Sequence, residues 1–222
     1  MFYGNKYELF EYAANISPRL FIGLQMTVAM TVCALALGIV VGLITCLFSI
    51  SKYKVLNMIS GVYLSVIRGT PLMVQATFIY FGISGVLQIS ISPFLASIIV
   101  LMLNSGAYLS EIFRSGINAV NKGQMEAARS LGLPKGVAMR KIILPQAIRM
   151  VIPSVANQFI ITLKDTSILS VIGITELMFQ SKQIVAGNMR AFETYAIVAV
   201  WYYVLVMLLT QLFKVLERKL AK

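Results

Sequence analysis

The sequence predicts an all-α fold, a polytopic membrane protein with about five transmembrane helices. Hydrophobic residues make up 59% of the 222 positions and charged residues only 12%, against about a quarter in soluble domains. Residues 20–51, 69–110 and 194–213 contain no charge at all. Because a helix of about 20 apolar residues crosses a bilayer, these runs are too long to be hidden inside a soluble domain of this size.

We place the five spans in a single transmembrane domain that covers residues 1–222. Their expected bounds are residues 18–50, 55–81, 93–113, 146–163 and 193–213. The second span is expected to break at Arg68-Gly69-Thr70-Pro71, since glycine and proline interrupt helices. Residues 82–92 are expected to form a turn. Residues 166–192 are expected to be partly helical outside the membrane.

Lysine and arginine lie mainly on one side of these spans. Of the 19 basic residues, 13 fall in one set of loops and tails and 4 in the other, while Arg68 and Lys164 are counted with the spans. Basic loops face the cytoplasm. The sequence therefore predicts an extracytoplasmic N-terminus, a cytoplasmic C-terminus and a long cytoplasmic loop at residues 114–145.

The composition argues against several kinds of chemistry. No histidine is present, which removes the commonest zinc ligand and general base, and we expect no metal site. Cys33 and Cys46 lie on one predicted helix, about 20 Å apart, too far for a disulfide bond. The sequence has no Gly-x4-Gly-Lys-Ser/Thr phosphate loop, so ATP would have to be used by a partner. Topology explains the net charge of +11, and no nucleic-acid partner is expected.

The loop at residues 114–145 is predicted to contain two short helices. Glu126 is placed near the start of the first, where the helix dipole favours an acid, and Gly132 can cap its end in a left-handed conformation. Pro134 suits the first position of the second helix. The residues alone leave two roles open. The pair can anchor on anionic lipid, or it can dock a cytoplasmic partner, because Ala127 and Ala128 permit close backbone approach.

The spacing in this loop resembles the signature loop of permeases of binding-protein-dependent ABC importers. The matching residues are Glu126, Ala127, Ala128, Gly132, Ile142, Leu144 and Pro145. Further segments look like the polar amino acid branch of that family: Arg68-Gly69-Thr70-Pro71-Leu72, Tyr108-Leu109-Ser110-Glu111-Ile112-Phe113-Arg114, Leu144-Pro145-Gln146-Ala147 and Lys164-Asp165-Thr166-Ser167. The resemblance implies a type I importer fold in a prokaryotic plasma membrane.

The resemblance also implies partners and a mechanism. Two permease copies would form the pathway, as a homodimer or with a second, non-identical permease. Each loop would contact a cytoplasmic ATPase dimer, which holds ATP and Mg, while this chain holds no cofactor and is not itself an enzyme. An extracytoplasmic amino-acid-binding protein would deliver the substrate, and the spans would alternate access. The implied ATPase-coupling residues are Glu126, Ala127, Ala128, Arg129, Leu131 and Gly132.

Polar side chains at membrane depth cost free energy to insert into the bilayer, so they mark candidate substrate contacts. The candidates are Asn104, Glu111, Gln158, Thr162 and Asp165, whose helical spacing predicts polar faces on the third and fourth spans that look onto one cavity. The alternative is structural. Glu111 would then pair with Arg114 or Arg68, and Lys164 and Asp165 would cap the end of the fourth span or pair with another helix. Acidic residues at depth favour arginine, lysine or histidine as the substrate, with glutamine the next choice.

A secondary transporter or channel that works without an ATPase is the competing hypothesis. It is disfavoured by the small size of the chain, by the absence of a detectable internal repeat and by the specific loop.

Overall fold

The computed structural model describes residues 6–220, which contain helices and no β-strand. The α-helices are α1 (Lys6–Ser49), α2 (Lys54–Gly69), α3 (Leu72–Thr77), α4 (Ser84–Leu87), α5 (Pro93–Ala119), α6 (Lys122–Ser130), α7 (Lys135–Ala138), α8 (Leu144–Asp165), α9 (Leu177–Asn188) and α10 (Ala191–Leu220). π-Helical segments join α3 to α4 (Phe78–Ile83) and α7 to α8 (Met139–Ile143), and a 3₁₀ segment, Thr166–Ile172, follows α8. The all-α prediction is confirmed.

Helices stand at all five predicted spans, and three of them are individually long and apolar enough to cross a membrane within the described residues. These are Glu8–Ser49 of α1, Pro93–Ala119 of α5 and Ala191–Lys219 of α10. Residues 54–69 and 72–87 qualify together as one broken span or a re-entrant loop, and the break falls at the predicted Gly69–Pro71 interruption. The fourth predicted span corresponds to α8, whose Gln146, Arg149, Asn157 and Gln158 lower its hydropathy below that of the others, so its crossing stays a prediction.

The helix of the third span continues past the expected bound of residue 113 to Ala119, because no proline or glycine-rich break follows Arg114. The bounds of the membrane crossing itself stay a prediction. The expected turn at residues 82–92 is helical as far as Leu87, and Gln88, with a φ of 55°, ends that helix. Residues 166–192 hold a 3₁₀ segment and α9, so this stretch is partly helical, as expected.

One compact unit comprises, among the described residues, 6–34, 71–101 and 161–209. It contains two apolar clusters. Met30, Ala96, Val100 and Leu169 belong to the first. The second forms around Leu20, Leu177 and Val198, against which Trp201 and Tyr202 pack. Helices distant in sequence are thus joined by buried side chains, which supply most of the stability of a helical fold.

Glu176 is a fully buried carboxylate in this unit and lies outside the predicted spans. It caps the N-terminus of α9 by accepting hydrogen bonds from the backbone N–H groups of Met178 (2.7 Å) and Phe179 (2.6 Å), as capping side chains do. The hydroxyl of Tyr202 also donates to it, at 3.2 Å. Burial raises the pKa of Glu176 to about 7 despite these donors, since the charged form loses its hydration.

The other compact unit comprises, within the described part of the chain, residues 35–70, 102–160 and 210–220. In it α1 and α5 cross closely at small residues. A Cβ added to Gly42 would lie 2.9 Å from Leu109 Cβ and 3.1 Å from the carbonyl oxygen of Gly106. Gly38 and Gly42 are four residues apart, the small-xxx-small spacing that lets membrane helices approach. The hydroxyl of Tyr63 then ties α2 to α5 by donating to Leu103 O at 2.6 Å.

Substitution of Gly42 by alanine is expected to destabilise the protein by about 1–3 kcal/mol, the usual cost of overpacking. The new methyl group would press on backbone atoms of α5, which cannot move aside as a flexible side chain can. Thermal unfolding of the purified protein in detergent measures the change. Gly61→Ala in α2 is the matched control, because no atom lies within 4 Å of its added Cβ. Equal unfolding temperatures for the two variants would contradict the close crossing.

Candidate functional site: the loop helix and a cleft between α5 and α8

The loop helix α6 begins earlier than the sequence suggests. The side chain of Asn121 caps it by accepting a hydrogen bond from the N–H of Gly123 at 2.8 Å. The first helical residue is Lys122, so Glu126 lies beyond the first turn, and its placement near the helix start is wrong. The cap signal at Asn121 is of the kind that asparagine gives before a helix, and it was available in the sequence.

The end of α6 matches the prediction at Gly132. Its φ is 81°, and the N–H groups of Gly132 and Leu133 donate to the carbonyls of Arg129 (3.0 Å) and Ala128 (3.1 Å). This is the Schellman arrangement, which favours glycine because the left-handed conformation strains other residues. Arg129 Nη1 donates to Leu133 O at 2.8 Å and braces the same turn. The helix is therefore fixed at both ends.

The second helix of the loop runs into α8 without a break. Pro134 occupies the N-cap position of α7. It therefore lies one residue before the first helical position, where it was expected. Between α7 and α8 the N–H of Leu144 bonds Met139 O, five residues back. Pro145 has no N–H to give, and a widened turn next to it is a common adjustment to such a gap.

Residues of α6 divide between a packed side and an open side. Met125 packs against a cluster made by Val120, Ile143 and Ala147, and Ala128 is buried beside it. The exposed coupling candidates are Glu126, Ala127, Arg129, Gly132 and, at 83% exposure, Leu131. The small side chain of Ala128 lets α6 lie close to its support. The arrangement presents a short, rigid helix whose tip carries a large apolar side chain to the surroundings.

The candidate substrate contacts of the second unit are Asn104, Glu111 and Gln158. Asn104 and Gln158 are buried. Glu111 is engaged by two arginines, because Arg114 donates to both carboxylate oxygens, at 3.1 and 2.8 Å, and Arg68 Nη1 lies 3.5 Å from Oε2. Glu111 therefore forms both ion pairs that the structural alternative named, and its role as a substrate contact stays a prediction.

Thr162 and Asp165 belong to the first unit. Thr162 is buried and Asp165 half-buried. The ion pairs found within residues 6–220 do not include Asp165, and its role as a cap is not seen, since α8 is followed directly by the 3₁₀ segment. The prediction that these faces share a cavity with those of the third span stays a prediction.

A cleft of about 470 Å³ opens between α5 and α8 in the second unit. Its α5 wall carries Tyr108, Glu111, Arg114 and Ser115. Its α8 wall carries Met150, Val151, Ser154 and Gln158. Polar groups and apolar surface thus meet in one concave site, as is usual for small-molecule sites.

Comparison with known families decides what kind of protein carries these features. The family described as the inner membrane component of binding-protein-dependent transport systems matches residues 34–222. The chain belongs to this family. The permease prediction is thereby confirmed, and no comparison supports a secondary transporter or channel. As a family of membrane permease subunits, it implies partner proteins that supply energy and deliver substrate.

Full-length relatives agree with this assignment. The permease is 40% identical over 204 residues to the glutamine transport system permease protein GlnP of Escherichia coli (strain K12), covering 91% of this chain and 93% of GlnP. It is 40% identical over 212 residues to the arginine transport system permease protein ArtQ of Bacillus subtilis (strain 168), covering 95% and 97%.

Solved structures extend the agreement to three dimensions. A chain from the crystal structure of an amino acid ABC transporter with histidines matches with a TM-score of 0.90 at 39% identity, covering 98% of this permease and 99% of that chain. The MetNI methionine ABC transporter in an inward-facing form matches with a TM-score of 0.78 at 20% identity, covering 92% and 97%, which shows a shared fold.

Two contacts of the site were not predicted from the sequence. The guanidinium of Arg68 lies 5.6 Å from the centre of the Tyr108 ring, which joins the end of α2 to α5 in addition to the Arg68–Glu111 ion pair that the structural alternative named. Gly116 lies against Val151 and the Ala147 carbonyl, which brings α5 and α8 together beneath the cleft. The pattern Tyr108-x-x-Glu111-x-x-Arg114 contained a signal for the first, since residues three apart share a helix face.

Gly132→Ala is expected to loosen the end of α6 by about 1–2 kcal/mol, because alanine is strained at a φ of 81°. Amide hydrogen exchange in α6 should then quicken by about fivefold or more, as measured by mass spectrometry of loop peptides. Gly136→Ala is the matched control, since both glycines face open space and only Gly132 has a positive φ. Equal exchange in the two variants would contradict a role for the left-handed cap.

Proposed function

We propose that this permease is the transmembrane subunit of an ATP-driven importer of polar or basic amino acids, namely arginine, lysine, histidine or glutamine. The observation that carries the proposal is α6, a rigid helix with an exposed tip at Leu131 and a packed back at Met125 and Ala128. The substrate class is supported by the names of the relatives, which are glutamine and arginine permeases.

The coupling step is assigned to α6. An ATPase subunit in the cytoplasm contacts Ala127, Leu131 and the turn at Gly132. Closure of the ATPase dimer around ATP and Mg then moves the loop. Because α6 is tied to α5 and α8 through Val120, Ile143 and Ala147, a push on the helix reaches the membrane-spanning segments. In this proposal the N-terminus is extracytoplasmic and the C-terminus is cytoplasmic. Both chain ends lie outside the described residues 6–220. ATP hydrolysis takes place in the partner.

The proposed assembly contains two copies of this permease as a homodimer. It also contains an extracytoplasmic amino-acid-binding protein that delivers the substrate. Alternating access then moves the amino acid inward. Asn104, Glu111, Gln158, Thr162 and Asp165 remain the proposed substrate contacts. Asp165 is the first choice for the ammonium or a basic side chain, since none of the ion pairs among residues 6–220 engages its carboxylate.

Reconstitution in liposomes tests the function. Uptake of radiolabelled amino acid is expected only when the permease, its ATPase, ATP and the binding protein are all present. ATP hydrolysis should also rise when a free basic amino acid is added, and Asp165→Asn should abolish that rise because the substrate loses its counter-charge. Glu8→Gln, which removes an exposed carboxylate near the start of α1, is the control and should respond as the wild type does.

The outcomes separate the parts of the proposal. Flux without the ATPase would overturn the ATP-driven mechanism. ATP-driven uptake with an unchanged response in Asp165→Asn would retain the importer and remove Asp165 from the substrate contacts.

A further inference from the structure

The polar wall of the cleft between α5 and α8 holds two guanidinium groups against one carboxylate. Arg114 forms a bidentate pair with Glu111, and Arg68 approaches the same carboxylate from the end of α2 at 3.5 Å. Both arginine side chains are 43% exposed and that of Glu111 is 26% exposed. The group therefore carries one net positive charge and remains open to a ligand.

Most of the donors in this group are unused. Each guanidinium has five N–H donors in a fixed fork, and the hydrogen bonds to Glu111 use only Nε and Nη2 of Arg114. The guanidinium of Arg68 is held over the Tyr108 ring, 5.6 Å from its centre. Two arginines held in place with free donors are suited to a carboxylate, which accepts hydrogen bonds from such forks.

The rest of the lining suits an amino acid better than a bare anion. Ser115 and Ser154 expose hydroxyl groups that make no hydrogen bond to any residue in the described part of the chain. Ile112, Met150 and Val151 give an apolar surface for a side chain. The negative charge of Glu111 repels a bare anion, while the lone pairs that its carboxylate has left can accept hydrogen bonds from an ammonium group. The cleft thus presents both charges that a zwitterion needs, in a volume of about 470 Å³.

We propose that this cleft is a product-side site for a free amino acid, with the α-carboxylate on Arg114 and Arg68 and the ammonium on Glu111. The inference rests on the proposed function, because the basic ends of the spans place the cleft towards the cytoplasm. A released amino acid that returns to this site holds the permease in its release state and slows import. The site would make transport sensitive to the internal concentration of its own product.

The test uses the complete transporter in liposomes with ATPase and ATP in the lumen and the binding protein outside. Vesicles are preloaded with unlabelled L-arginine, L-glutamine, agmatine (arginine without its carboxylate) or acetate, and the initial rate of labelled uptake is measured. Wild-type uptake should fall with lumenal arginine or glutamine and stay unchanged with agmatine or acetate.

Two variants should act in different ways. Arg114→Gln removes the bidentate donor and should raise the inhibiting amino acid concentration by about tenfold or more, the usual effect of losing hydrogen bonds to a charged group. Arg114→Lys keeps the charge without the fork and should be intermediate. Glu111→Gln removes the repulsion of a bare anion and should make acetate inhibitory. A merely structural pair would not change the choice between ligands in this way.

Arg149→Gln is the matched control, because Arg149 is exposed on α8 and does not line the cleft. It should be inhibited as the wild type is. Normal uptake that ignores lumenal amino acids, equal inhibition by agmatine, or full inhibition retained in Arg114→Gln would each overturn the inference. Loss of uptake in empty wild-type vesicles would instead count against the proposed function. If Arg114→Gln does not fold, Arg114→Lys and Glu111→Gln still decide the matter.

Discussion

Inside a bilayer, backbone N–H and C=O groups have no water to bind, and this constraint shapes the rest of the permease. Helices satisfy these groups internally, which accounts for the all-α structure. Hydroxyl side chains follow the same rule, since Thr31 donates to Thr27 O at 2.7 Å and Ser97 to Pro93 O at 2.7 Å. Polar residues of this kind sit in apolar helices without needing a distant partner.

Close contact between helices then depends on small residues, because lipid tails are as apolar as leucine and give no hydrophobic drive for association. In the second unit, Gly42 and Gly106 bring α1 against α5, and Gly116 brings α5 against α8. The same unit supports α6 through Val120, Ile143 and Ala147. A short helix outside the membrane is thereby attached to the segments that must move.

The sequence was informative where local chemistry decides the structure. The charge-free runs predicted the membrane-spanning helices, and Gly69 and Pro71 predicted the break between α2 and α3. Gly132 predicted the left-handed cap at the end of α6. The sequence left open what depends on neighbours in space. The ion pair of Glu111 with Arg68 was only one of two alternatives, because it needs the approach of Arg68 from α2 and no periodicity within α5 contains that contact. The start of α6 was misplaced because the motif drew attention to Glu126, while the cap lies at Asn121.

The central claim is that α6 is the contact with an energy-supplying ATPase. A photo-activated phenylalanine analogue at Leu131 tests it directly, with the same analogue at Met189 as the control, since both side chains are 83% exposed and Met189 lies in the turn after α9. Irradiation of the assembled transporter should cross-link the ATPase subunit to position 131 and leave position 189 without it. Cross-linking to lipid alone at position 131, or to the ATPase equally at both positions, would contradict the account.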